Sequence, residues 1–138
     1  MEVVITNMDY EDMYYETKAR KVLVLGSSGQ VGAYLSEYLS KNGYEVLEFD
    51  IANDSSQDMT VIPNGELEAK IYMADFVYFL AFDVGGSHYL KKYQHTFKFI
   101  DNNTRLMANA FGLLEKYNKP FIFASVSYTH LTLPTSQY

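Results

Sequence analysis

The chain has no cysteine, which excludes a disulfide framework and any thiolate zinc site. Cationic side chains are scarce: 11 Lys and Arg stand against 17 Asp and Glu, for a formal net charge of -6. No basic stripe is available to neutralise phosphates, so non-specific nucleic-acid binding is excluded. Long apolar runs are also missing. The longest, Phe76 to Phe82, is bracketed by Asp75 and Asp83 and is far too short to span a bilayer, so no membrane partner is expected. The N-terminus is acidic and has no apolar segment of signal-peptide type, which makes a cytoplasmic location the default expectation. His88 and His95 lack metal-ligand spacing and partners, so a solvated helix face accounts for them and no metal is expected. One more absence bears on chemistry: no lysine follows Lys119.

What is present is a core. Aromatic residues make up 16% of the 138 residues, enough with the aliphatics for one packed domain. Its organising stretch is KVLVLGSSGQVGAYLSEYL, Lys21 to Leu39. Val22 to Leu25 form the continuous apolar run of a parallel strand covered on both faces. Gly26, Gly29 and Gly32 follow at G-x-x-G-x-x-G spacing. Val31, Leu35, Tyr38 and Leu39 then recur at helical spacing, predicting a helix with one face on the sheet. In such a turn the first glycine takes backbone angles closed to other residues, and the second lets the chain approach a pyrophosphate. The third allows close helix–strand packing, while the helix N-terminus offers N–H groups to the phosphates. The alternative is a tight strand-to-helix turn that binds nothing, but strand, helix and a later acidic residue are all where a dinucleotide site needs them.

Asn42-Gly43 ends the helix, and Tyr44 to Phe49 is a second strand with Asp50 at its end. An acidic residue about twenty positions past the glycine loop is where this kind of fold holds the ribose hydroxyls of the adenosine half. A carboxylate there repels a 2′-phosphate, so NAD is expected over NADP; the alternative is a strand-end Asp that only caps a turn. Asp58 to Val61 is a short third strand or a turn. Pro63 suits the first turn of a helix running to about Met73, and Phe76 to Leu80 reads as a fourth, buried strand. Ser87 onward is helical but interrupted by Lys91, Lys92, His95 and Lys98. A clearer helix spans roughly Phe99 to Tyr117, with Leu106, Ala110, Leu113, Leu114 and Tyr117 as its core stripe. Phe121 to Ala124 is a fifth strand, ending at Ser125. Strands alternating with helices specify an α/β fold of Rossmann type, a doubly wound parallel sheet of five strands.

These pieces together resemble the extended short-chain dehydrogenase/reductases, in particular the NAD-dependent epimerase/dehydratase family acting on nucleotide sugars. The matching residues are GSSGQVG with Asp50, Asp58-Met59, the DFVYFLAF strand, Asp83-Val84-Gly85-Gly86, Asn102-Asn103 and FIFAS, covering Lys21 to Ser125. Within the group, Leu-Ala before an Asp-x-Gly-Gly loop looks most like the GDP-mannose 3,5-epimerase type. The resemblance implies cofactor contacts from Gly26, Ser28, Gly29, Gln30, Val31, Gly32 and Asp50, with Asp58 and Met59 toward the adenine and Leu80, Ala81 and Phe82 lining the cofactor. The family usually has a second Ala where Phe82 stands. It also implies a nucleotide-sugar substrate for a full-length enzyme and is compatible with a homodimer of it.

The resemblance stops after Ser125. The family has a second Ser or Thr there, then a Tyr-x-x-x-Lys pair whose Tyr acts as general base, and a substrate domain. Here Val126 follows, and Tyr128 has no lysine at that spacing; Tyr14 and Lys18 have the spacing but precede the first strand. No catalytic residue is therefore expected within the chain. Residues 126–138 keep no periodicity and read like the translation of a transposon-end sequencing adapter. The expectation is a leader at 1–20, loose or helical, an NAD-binding domain at 21–125, incomplete at its C-terminus, and a foreign tail at 126–138. The leading functional reading is the NAD-binding half of an epimerase or dehydratase that works by transient hydride transfer. The alternative is a dinucleotide-binding module that senses without turnover. A purely structural protein is disfavoured, because Gly29 and Asp50 would then have no purpose.

Overall fold

The computed structural model describes residues 2–6, 21–82 and 96–125. Five strands form one sheet: β1 (Glu2–Thr6), β2 (Lys21–Leu25), β3 (Glu45–Phe49), β4 (Phe76–Phe79) and β5 (Phe121–Ser125). Among the described residues three helices accompany them: α1 (Gln30–Lys41), α2 (Gly65–Met73) and α3 (Phe97–Lys116). The sheet order is β1-β5-β4-β2-β3, with β2 to β5 mutually parallel and β1 antiparallel to β5. This is a Rossmann-type α/β sheet with one antiparallel edge. The chain passes from β2 to β3 on one side, then returns to lay β4 on the other side of β2. Such a reversal opens a crevice at the C-terminal strand ends, between β2 and β4, where open α/β sheets bind ligands.

Alternation along the strands divides the core in two. Leu23, Leu25, Val77, Phe79 and Phe121 face α2 and α3, joining Leu67, Ile71, Leu106, Ala110 and Leu114 in the larger cluster. Val22 and Val24 face α1, with Leu39, and with Leu35, Tyr44, Val46 and Tyr78 at the margin. Full burial of each such side chain stabilises the fold by about 1.5–3 kcal/mol before entropy is counted. Phe79 sits at the centre of the larger cluster, its ring 5.1–5.9 Å from those of Phe82, Phe111 and Phe123. Ring pairs at that separation add about 0.5–1.5 kcal/mol each.

Several expectations need correction. Residues 58–61 take the second of their two expected forms, a turn: Asp58 Oδ1 accepts from both the N–H and the hydroxyl of Thr60, at 2.9 and 2.7 Å. A side chain that bonds its own backbone two residues on competes with a sheet ladder. The fifth strand comes instead from the segment expected to be a leader. Val3, Val4, Ile5 and Thr6 are all β-branched, and β1 pairs Glu2 with Ser125 and Thr6 with Phe121, a match no local window reveals. The inward face of α1 is Gly32, Ser36 and Leu39; Val31 and Tyr38, expected in its core stripe, are about half exposed. The row i, i+4, i+7 that starts at Gly32 wins because only a residue without Cβ can lie against the glycine turn. α2 begins at Gly65, with Pro63 ahead of it, because Asn64 Oδ1 caps Leu67 N–H at 3.1 Å. α3 starts two residues early, capped by Thr96 Oγ1 on Phe99 N–H. β4 is fully buried only at Val77 and Phe79; Phe76 and Tyr78 on its other face are half-buried. The Asp83–Gly86 loop, the helical stretch from Ser87 with His88 and His95, Tyr14, Lys18, and residues 126–138 with Val126 and Tyr128 lie outside the described residues.

Candidate dinucleotide-binding site

The three glycines of the loop do three separable jobs. Gly26 leaves β2 at φ +91, in the left-handed region, and a Cβ there would stand 2.9 Å from Ala81 N. The loop therefore presses directly on the chain leaving β4. A Cβ on Gly32 would fall 1.9 Å from Gly26 O, so no side chain fits there. Gly29 differs from both. Its backbone is extended (φ -70, ψ 171), a conformation open to any residue, and a Cβ would make only one ordinary contact, 3.4 Å to Gly26 O. Nothing among the described residues requires glycine at 29. Gly29 is also the N-cap of α1, with no capping side-chain hydrogen bond and no acidic residue in the first turn. A helix start left open in this way has unpaired N–H groups and a positive dipole end available to an anion.

The loop is tied to the end of β3. Gly26 N–H donates to Phe49 O at 2.9 Å, and Ser28 N–H donates to Asp50 Oδ2 at 2.9 Å. Ser28 Oγ donates to Asn53 Oδ1 at 2.6 Å, and Ala52 N–H donates to Asp50 Oδ1 at 2.9 Å. Each Asp50 carboxylate oxygen thus holds one N–H and keeps a further lone pair for a hydroxyl donor. The far wall is Met59, buried, whose carbonyl accepts from Asn109 Nδ2 at 2.6 Å.

A cleft of about 460 Å³ lies between these walls. Of the residues singled out from sequence, Gly26, Gly29, Asp50, Asp58, Met59, Leu80, Ala81 and Phe82 line it together. Gln30, Val31 and Gly32 do not, and Ser28 reaches the cleft only through its bond to Asp50. Phe82, in the position of the family's second Ala, stacks against Phe79 with ring centroids 5.9 Å apart and 12° between planes. Phe49, Ile51, Gln57, Thr60, Asn102 and Leu106 also line the cleft but were not singled out as site residues. Ile51, Gln57 and Thr60 are chain neighbours of flagged acids. Asn102 and Leu106 stand four apart on α3, so one helix face carries both. Among the described residues no group of three or more His, Cys, Asp or Glu is placed to hold a metal, and no helix is long and apolar enough to cross a membrane.

Comparison with known proteins agrees with this geometry. The sequence profile of the NAD dependent epimerase/dehydratase family matches residues 22–130. The chain belongs to that family. Among solved structures, UDP-N-acetylglucosamine 4-epimerase from Bacillus cereus matches with a TM-score of 0.53 and 19% identity over 73% of this chain. At that identity the likeness establishes a shared fold. The matched part of this family member amounts to 37% of the Bacillus cereus chain. No curated protein sequence matches it. Membership implies use of a nicotinamide dinucleotide, and the cleft fits one. Its volume is in the range of small-ligand sites, and its glycine wall leaves open the space a Cβ at position 29 would fill.

Proposed function

We propose that this chain binds NAD as the cofactor-binding part of a nucleotide-sugar epimerase or dehydratase. The observation that carries the reading is the pairing of Gly29 with Asp50 across one cleft. Glycine at 29 has no purpose in the fold's own packing, yet it sits at an uncapped helix start, next to Ser28, whose N–H holds a carboxylate brought in from 22 residues away. In this reading the pyrophosphate lies against Gly26, Gly29 and the start of α1, held by N–H groups of Gln30, Val31 and Gly32, while the Ser28 N–H stays on Asp50. Asp50 accepts the two ribose hydroxyls with its remaining lone pairs, and Asp58 and Met59 flank the adenine. Leu80, Ala81 and Phe82 line the opposite wall and keep water from it. When bound, the nicotinamide supplies the hydride acceptor; the substrate is a nucleotide sugar.

Asp50 sets the choice between dinucleotides. A carboxylate beside a 2′-phosphate is two anions in contact, whereas beside a 2′-hydroxyl it is a hydrogen-bond acceptor. The chain is expected to bind NADH and to reject NADPH in a fluorescence titration. Asp50→Ala should weaken NADH by about 1–3 kcal/mol, the cost of leaving hydroxyls unpaired. Equal affinity for the two dinucleotides would sink this reading. A dinucleotide-binding module without turnover is a second reading, favoured by one fact: no lysine follows Lys119, so Tyr128 has no partner at Tyr-x-x-x-Lys spacing. Both readings expect this chain by itself to bind without turnover; they separate when it is extended by a substrate domain carrying a Tyr-x-x-x-Lys pair, where turnover of a nucleotide sugar supports the first and binding alone the second.

A further inference from the structure

Strand β3 is an edge of the sheet. The carbonyl of Phe49 points inward, to Gly26 N–H, so the backbone groups of Glu48 and Asp50 point outward. No strand among the described residues pairs with them, because residues 58–61 are a turn. Side chains take that place. Lys70 Nζ donates to Glu48 O at 2.6 Å, and Asp50 N–H donates to Gln57 Oε1 at 2.8 Å. Gln57 Nε2 donates to Glu66 Oε2 at 2.6 Å, and Lys70 Nζ closes on the same oxygen at 2.9 Å. The result is a closed ring, Glu48–Lys70–Glu66–Gln57–Asp50, laid along the strand edge where it meets the cleft. Lys70 and, after it, Gln57 hold the Glu66 carboxyl below its ordinary range, favouring the anionic form that accepts both bonds.

We propose that Gln57 is the positioning residue of Asp50: through the ring with Glu66 and Lys70 it fixes the main chain at Asp50 and so sets how strongly the site prefers an unphosphorylated ribose. The inference rests on the reading of Asp50 given above. Three observations lead to it. Gln57 bonds the N–H of Asp50 itself, not of a neighbour. The Asp50 carboxylate is otherwise tied to the backbone N–H groups of Ser28 and Ala52, so its position follows the main chain. Gln57 also lines the cleft, so it acts where the ribose would lie. The amide is required in both its halves, accepting from Asp50 and donating to Glu66. A carboxylate at 57 would accept but face the Glu66 carboxylate, and an apolar side chain would do neither.

The test titrates the whole chain with NADH and with NADPH by nicotinamide fluorescence, alongside thermal melting. Gln57→Leu should weaken NADH about tenfold and narrow the NADH-to-NADPH affinity ratio by a similar factor. Gln57→Glu alone should be impaired as well, through the like charge it sets against Glu66. The exchange Gln57→Glu with Glu66→Gln restores an acceptor for Asp50 N–H and a donor to complete the ring. It should bring affinity and ratio back to within about threefold of the unmodified chain. Should Gln57→Leu not fold, Gln57→Glu and the exchange carry the comparison. A merely structural role would lower the melting temperature and leave the ratio unmoved; that result, or an exchange that restores nothing, overturns the proposal. Asp50→Ala separates the two levels. If it leaves the ratio unchanged, the reading of Asp50 itself fails; if it changes the ratio and the Gln57 variants do not, only the ring fails.

Discussion

The glycine wall and the acidic wall of the cleft are built by opposite means. From Gly26 to Gly32 the shape is imposed by backbone packed on backbone: Gly26 against Ala81, and Gly32 against Gly26 O, with no room for a side chain. From Asp50 to Asn64 the shape is held by polar side chains that reach back to the main chain. Asp50, Asp54, Asp58 and Asn64 each accept a backbone N–H, and Gln57 bridges from Asp50 to α2. The first wall can take only one form, because close-packed atoms do not yield by fractions of an ångström. The second is a set of bonds worth about 0.5–1.5 kcal/mol each, and can be altered one bond at a time. Under the proposed reading, the rigid wall would hold the anion and the wall of single bonds would meet the ribose.

The comparison can be broken most severely at Gly32. Gly32→Ala places a Cβ 1.9 Å from Gly26 O, against backbone that cannot swing away. A loss of about 3 kcal/mol or more is expected, at or beyond the upper end of overpacking costs, read as a fall in the denaturant midpoint. On the polar wall, Asn64→Ala should cost less, about 1–2 kcal/mol. It removes the cap on Leu67 N–H and two bonds from Nδ2, to Ser56 O and Asp58 O, so the 56–58 turn should also exchange its amide hydrogens faster. The smallest effect lies away from both walls, where α2 meets α3. Lys116 and then Tyr117 donate to Glu68 Oε2 and hold its carboxyl below the ordinary 4.5. A lowered folded value means stability that is complete above the unfolded value and is lost as pH falls through the folded one. Melting of the unmodified chain and of Glu68→Gln, compared across about pH 3 to 7, should differ above the carboxylate range and converge below it. A difference that persists at the acid end would contradict that sign.

The same contrast decides what could be read from the sequence. The glycine wall, β2 and the helix end at Asn42-Gly43 were legible, because each depends on neighbours in the chain and on residue types with few other uses. Asp50 was legible by its distance from the loop. The polar wall was not: that 58–61 makes a turn depends on one Asp58–Thr60 bond pair, and that Gln57 and Lys70 close the edge of β3 depends on α2 lying beside it. β1 was the hardest to foresee, since its pairing with β5 joins segments far apart in the sequence. On α1 the helical period is right and Leu35 and Leu39 do pack on the sheet, but the expected stripe is wrong at Val31 and Tyr38. Val31 and Tyr38 have the hydrophobicity, yet contact with the glycine turn turns Gly32, Ser36 and Leu39 inward.

Gly29 is expected to be glycine for a ligand and not for the fold. Gly29→Ala tests it most directly, by melting and by NADH titration on the same sample. The substitution creates no contact closer than 3.4 Å and no unfavourable φ, so the loss of stability should not exceed about 1 kcal/mol, the preference of an N-cap for glycine over alanine. Affinity for NADH should nevertheless fall at least about tenfold, because the methyl group occupies the path of the pyrophosphate. Undiminished NADH binding by Gly29→Ala, or no saturable binding by the unmodified chain, would contradict the account.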